Sequence, residues 1–300
     1  MLSCAQGDWG GMGIMSNLRA RNWIFYPATI FFLVLLVSQT FGGPFDIGKA
    51  IKKVEDIKDN KRVKQLRALL PISLEEEIEL GERVSAGIQS KYGVYRNEPI
   101  ERYIALVGTA VAWQGSRPEL AYSFTILDTD EVNAYAAMGG FIMISRGLLS
   151  AIHNEAELAA VLGHEIWHIE AKHEIKRVET AQRTGVLTSE ALSAMTDQEL
   201  DGVADYCYSI LEKGRSRDVE LEADIEGAAL AAKLGYDPRA LEGLLKRFRD
   251  STKQGPLAKL HSTHPDFSDR VSTLHKQRYE TNNTITLESR YRSNVLNYIG

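Results

Sequence analysis

The pentapeptide His164-Glu165-Ile166-Trp167-His168 constrains this chain more than any other feature. It stands in a run opened by Asn154 and Glu157, an N-terminal capping signature, that reads as one helix of about 25 residues toward Gly185. Four residues is just over one helical turn, so both imidazoles leave the same face and can bind one metal ion. Glu165 lies about 100° further round, beside that ion, where it can take a proton from a metal-bound water. Two neutral imidazoles suit Zn²⁺ and leave positions open for water and another ligand. The lead-in from Glu157 to Leu162 is largely apolar. A buried helix needs that; a surface helix with accidental histidines does not.

A catalytic zinc of this type requires a third protein ligand. A second strong helix over about 217–234, ending at Gly235, carries Glu220-Leu221-Glu222-Ala223-Asp224. Leu221, Ile225, Ala228 and Ala232 mark its buried stripe, and Glu222, Glu226 and Lys233 lie away from it. Glu220, Asp224, Gly227 and Ala231 flank the stripe, with small residues that permit close approach to another helix. Glu220 is the economical third ligand. Asp224, one turn on, would receive the second ring N–H of a zinc-bound histidine, the alternative being a buried salt bridge with Arg217. His173 follows His168 by five residues, so a continuous helix turns it away from the metal face and it reads as structural. No role is read for His153, His261 and His275, and Cys207 reads as a packed thiol.

With 44% hydrophobic and 25% charged residues over 300 positions, the chain is globular and long enough for one large core or two modest ones. A net charge of −5 gives no reason to expect nucleic acid as a partner. Two cysteines, Cys4 and Cys207, can build neither a disulfide framework nor a Cys-based zinc site. Residues 1–43 read as a leader: Arg19 and Arg21 precede the apolar stretch Trp23–Val37, and small or polar residues such as Ser38, Thr40, Gly42 and Gly43 follow. As a helix that stretch would be about 22 Å long, short of a hydrocarbon core of about 30 Å. It is a signal peptide or an N-terminal anchor, and a start at Met15 would give a conventional signal length. Membrane association, if any, would run through residues 23–43.

Residues 44–70 read as a linker or loose helix, 71–280 as the metal-binding domain, and 281–300 as a polar tail trailing along the surface. After Pro71, Ser73 and Glu76 form a capping box, and helical spacing continues over 98–113. The period then changes to two at Tyr122, Phe124 and Ile126. With Val132–Ala136 and, after Gly139-Gly140, Phe141–Ile144, residues 121–145 read as a small β-meander. Asp237-Pro238 starts a further helix to about Lys253. The fold class is α+β, predominantly helical.

Four features together resemble one family. They are Asn133-Ala134-Tyr135-Ala136 with Gly139-Gly140; Glu157-Leu158-Ala159 leading into His164-Glu165-x-x-His168; Glu220-x-x-Ala223-Asp224; and Ser262-Thr263-His264-Pro265 with Arg270. Over about residues 75–275 the sequence resembles the zinc metalloendopeptidases that include HtpX and the CAAX prenyl protease, metallopeptidase family forty-eight, especially its soluble, exported branch. The resemblance implies a zincin-like fold with the small β-meander packed beside the HExxH helix. It also implies one Zn²⁺ per chain, Glu220 as third ligand and peptide-bond hydrolysis with Glu165 as the catalytic base. Misfolded or unassembled envelope proteins, met as unfolded or extended polypeptides, would be the substrates. The location would be the periplasm or the periplasmic face of a membrane, the alternative being the mitochondrial inner membrane. The chain departs from HtpX in lacking its repeated transmembrane helices.

Family resemblance also places the strand around Phe141–Ile144 beside the active site. Gly140, Phe141, Ile142 and Met143 would then bind an extended peptide along a free strand edge, unless that edge is covered. His264 has three readings: a catalytic hydrogen bond to the developing oxyanion, a removable fourth zinc ligand that holds the enzyme latent, or a clamp on the Pro265 turn. A reading of another class is a zinc-containing chaperone or adaptor that binds clients without cutting them. The intact Glu165 argues against it, because a non-catalytic descendant has no chemical need of that residue.

Overall fold

The computed structural model describes residues 71–184, 197–251, 254–279, 281 and 284–299. The leader over 1–43 and the linker over 44–70 lie outside these residues. Among the described residues no helix is long and apolar enough to cross a membrane.

The domain is predominantly helical with one three-stranded sheet. Helix α1 spans Leu74–Tyr92 and begins with the expected capping box, in which Ser73 Oγ accepts from the Glu76 amide and Glu76 accepts from the Ser73 amide. Helix α2 covers Glu98–Ala112 behind an Asn97 cap. Strands β1 (Ser123–Leu127), β2 (Ala134–Ala137) and β3 (Phe141–Ser145) follow, then α3 (Arg146–Ala151) and α4 (Glu155–Glu170). Next come α5 (His173–Arg183), α6 (Asp197–Glu212), α7 (Arg217–Lys233), α8 (Ala240–Asp250), α9 (Ala258–Thr263) and α10 (Phe267–Lys276).

The three strands form, but not as a meander. The order is β1-β3-β2, with β3 parallel to β1 and antiparallel to β2. Alternation in β2 and β3 divides the interior. Ala134, Ala136, Ile142 and Ile144 face a large core shared with α2, α4, α8 and α10, whereas Tyr135, Ala137 and Met143 face a smaller one with α1, α5 and α6. Period two identifies strands and their faces; it carries no information on which strand lies between the other two.

Two further expectations are corrected. The 25-residue helix ends at Glu170: Ala171 caps it, Lys172 takes a left-handed φ of 54°, and α5 begins at His173. The tail over 281–300 does not trail along the surface in its described part. Glu288–Tyr291 forms a helical turn, and Tyr291, Val295 and Ile299 are buried in the large core. Tyr291 Oη donates to the carbonyl of Leu149 at 2.6 Å. The polar majority of this segment masks an apolar set spaced by about four residues, enough for one buried face.

Candidate metal centre

Helix α4 is buried along its length except at Trp167. Helix α7 crosses it at Gly163 and Gly227, where backbones meet: a Cβ on Gly163 would lie 2.4 Å from the Gly227 carbonyl oxygen, and one on Gly227 2.5 Å from the His164 nitrogen. The small residues flanking the α7 stripe do what their size allows, and the close crossing brings Glu220 and Asp224 onto the histidine face.

His164 and His168 point their Nε2 atoms at each other across 3.1 Å. Glu220 Oε2 stands 3.6 Å from His164 Nε2, and Glu220 Oε1 stands 3.6 Å from His168 Nε2. His264 joins them: one donor atom from each of the four residues lies within 4.8 Å of the others, and all four residues are buried. Nitrogen and oxygen ligands set tetrahedrally at zinc distances are about 3.3–3.5 Å apart. The cluster therefore fits one zinc ion. Glu220 Oε1, buried with no hydrogen-bond partner, supports the fit, since a carboxylate oxygen is costly to leave unpaired.

Electrostatics prepare these donors. Burial, reinforced by the positive charge of Arg215, holds the His168 imidazole well below its usual range, so it stays neutral with a lone pair to give. Burial works to raise the Glu220 carboxyl, but His264 and Arg270 override it and keep it ionised. For Asp224 the same upward pull is overcome by Arg270. The Arg270 guanidinium gives Nε and Nη2 to the two Asp224 oxygens, each at 2.7 Å, and Nη1 to Glu220 Oε2 at 3.0 Å. Asp224 Oδ1 also lies 3.0 Å from His164 Nδ1, a close approach that falls short of hydrogen-bond geometry. The salt bridge considered for Asp224 exists, with Arg270 rather than Arg217, which pairs with Asp269.

Glu165 lies beside the cluster with 2% of its surface exposed. Its Oε1 is 3.8 Å from His264 Nε2, and its Oε2 has no hydrogen-bond partner. His264 Nδ1 approaches Glu220 Oε2 at 2.9 Å, so this histidine belongs to the site and does more than support a turn. The cavity against His164, Glu165 and His264, walled by Ala134, Leu148 and Phe267 among others, has a volume of about 30 Å³.

Gly140, Phe141, Ile142 and Met143 do not provide a free edge. Strand β3 is central and paired on both sides, so the expected peptide-binding edge is corrected. The sheet edge near the cluster belongs to β2, whose Ala134 lines the cavity. The segment carrying α9 lies along it: the Val132 amide donates to the Pro256 carbonyl at 2.8 Å, and Thr263 Oγ1 donates to Asn133 Oδ1 at 3.0 Å. The role of Arg270 was not read from sequence, although two buried acids on α7 demand a cation. Glu222, taken as solvated, is half exposed but accepts from Trp167 Nε1 at 3.1 Å.

Known proteins resemble this chain in sequence. The beta-barrel assembly-enhancing protease of Yersinia pestis is 24% identical over 250 residues, 79% of this chain and 51% of that protein. Its namesake in Escherichia coli (strain K12) is 24% identical over 196 residues, 61% of this chain and 39% of its own length. Mitochondrial metalloendopeptidase OMA1 of Schizosaccharomyces pombe is 25% identical over 211 residues, 68% of this chain and 61% of its own. The chain thus spans about half the length of the first of these relatives, and less of the second. The profile of peptidase family M48 matches residues 100–278, a stretch that holds all four residues of the cluster together with Glu165, Asp224 and Arg270, and the chain belongs to that family.

Proposed function

We propose that this chain is a zinc-dependent endopeptidase, with His164, His168 and Glu220 as metal ligands and Glu165 as general base. Glu165 carries the reading. Helix α4 buries four glutamates in all, and Glu155, Glu157 and Glu170 each have both oxygens engaged by protein donors. Glu165 alone among them has an oxygen with no partner. A buried carboxylate without structural partners, beside a metal-binding cluster, is suited to take and return a proton.

A zinc ion held here supplies Lewis acidity toward a water and a carbonyl oxygen. The protein's own groups do the rest. Asp224 faces the ring of His164, and Arg270 holds both α7 carboxylates in place. Glu165 accepts a proton at its free oxygen and delivers it to the departing amine.

In the arrangement described, His264 supplies a fourth donor, whereas a catalytic zinc keeps a position open. The cavity against His164, Glu165 and His264 is small, about 30 Å³, and walled mainly by apolar side chains. We take this as the latent form: His264 and the segment bearing α9 withdraw before an extended polypeptide pairs with β2. Client proteins awaiting assembly in an envelope are the proposed substrates. The relatives named for β-barrel assembly support that choice, and the mitochondrial relative supports an organelle membrane as the other setting.

Cleavage of an unfolded fluorogenic protein tests the whole reading. Glu165→Gln should lower turnover by about 10³-fold while keeping its zinc. His264→Ala should cut faster than wild type. Wild-type rates in Glu165→Gln would eliminate it as the base, and a slower His264→Ala would reverse the role assigned to His264.

A further inference from the structure

His168 has a buried neighbour that the sequence placed on the wrong side. Along a continuous helix, five residues would carry His173 about 140° from His168. The break at Lys172 brings it back, and the two Nδ1 atoms lie 2.8 Å apart with both rings buried. A left-handed lysine is strained relative to glycine, and the turn it makes delivers this contact.

We propose that His173 is a positioning residue for the metal ligand His168, an inference that rests on the zinc-site reading above. Two ring nitrogens at 2.8 Å share a single proton; with none or two between them the contact would be repulsive. His168 turns Nε2 toward the cluster, 3.1 Å from His164 Nε2, and a neutral ring offers that lone pair only when its proton sits on Nδ1. His168 Nδ1–H therefore donates to His173 Nδ1, and the proton of His173 resides on its Nε2. His173 thus selects the tautomer of His168 and fixes its ring rotation. The two metal-face histidines differ in this respect: His164 Nδ1 faces the carboxylate of Asp224 at 3.0 Å, and His168 Nδ1 a neutral imidazole. Glu222 is 3.7 Å beyond His173 Nε2, outside direct hydrogen-bond range.

Zinc dissociation constants, measured by chelator competition on the full chain, distinguish positioning from packing. An asparagine amide oxygen falls near the place of Nδ1, whereas a glutamine amide falls near that of Nε2. His173→Ala and His173→Gln should weaken zinc by about 10–100-fold, with His173→Asn staying within about threefold of wild type. The visible spectrum of the cobalt-substituted protein should change in the Ala and Gln variants and be restored in Asn. If His173→Ala fails to fold, the Asn and Gln pair keeps the same contrast. Equal weakening in Asn and Gln, or wild-type affinity in both, would overturn the assignment. A folded wild type that binds no zinc would overturn the zinc reading itself.

Discussion

The head and the middle of α4 bury acids to opposite effect. At its first residue Glu155 is fully enclosed, and its two oxygens accept from Tyr103, Tyr236 and Arg290. Two turns and more along the helix, Glu165 is just as deep yet has an oxygen without a partner, and the facing Glu220 has another. The first cluster is closed by the protein itself, tying α2, the turn after α7 and the C-terminal segment to the head of α4. The second is closed only when something else binds. Burial alone therefore does not mark a functional acid; burial with unspent lone pairs does.

Three measurements press on this contrast. Glu155→Gln should have the largest effect on folding, about 3 kcal/mol, because it removes the charge on which two tyrosines and an arginine converge. Chemical denaturation would register it, and the folded fraction should still take up zinc. An unchanged midpoint would erase the distinction between Glu155 and Glu165. Gly227→Ala should cost about 2 kcal/mol, because its Cβ would press on the His164 backbone. It should also weaken zinc at least about tenfold, whereas Gly87→Ala on α1, with nothing within 4 Å of the added Cβ, should be neutral or slightly stabilising.

The smallest effect is that of acid on the metal-free protein. His168 is held below its unfolded pKa of about 6.5, so the unfolded chain binds the extra proton first. Stability should be constant above that pH and fall below it, by at most about 1.4 kcal/mol per unit from this residue. The depressed carboxyls of Glu220 and Asp224 are lost only at lower pH. Thermal unfolding at pH 7.5 and 5.5 checks the order, and zinc, which keeps its ligands deprotonated, should steepen the fall.

Much of the site was legible because it depends on local periodicity. One helical turn sets His164 against His168, another sets Glu220 against Asp224, and Gly227 announces a close crossing. What escaped depends on contacts remote in sequence. Nothing in Ile169-Glu170-Ala171-Lys172-His173 is a helix breaker; the break is fixed from outside, by His173 on His168 and by Glu174 with the buried Arg215. The place of β3 between its neighbours is likewise a matter of pairing partners, which alternation cannot specify. The tail was misread because Arg290 and its polar neighbours outnumber the few apolar residues that seat it.

The most direct test is the zinc content of the purified protein in wild type, Glu220→Gln and Glu226→Gln, the last a partly exposed acid on the same helix. About one zinc per chain is expected in wild type and Glu226→Gln, with Glu220→Gln losing its metal to a chelator that the other two withstand. A folded wild type that takes up no zinc after reconstitution, or a Glu220→Gln variant that holds it equally well, would contradict the assignment of the α4–α7 crossing as the metal centre.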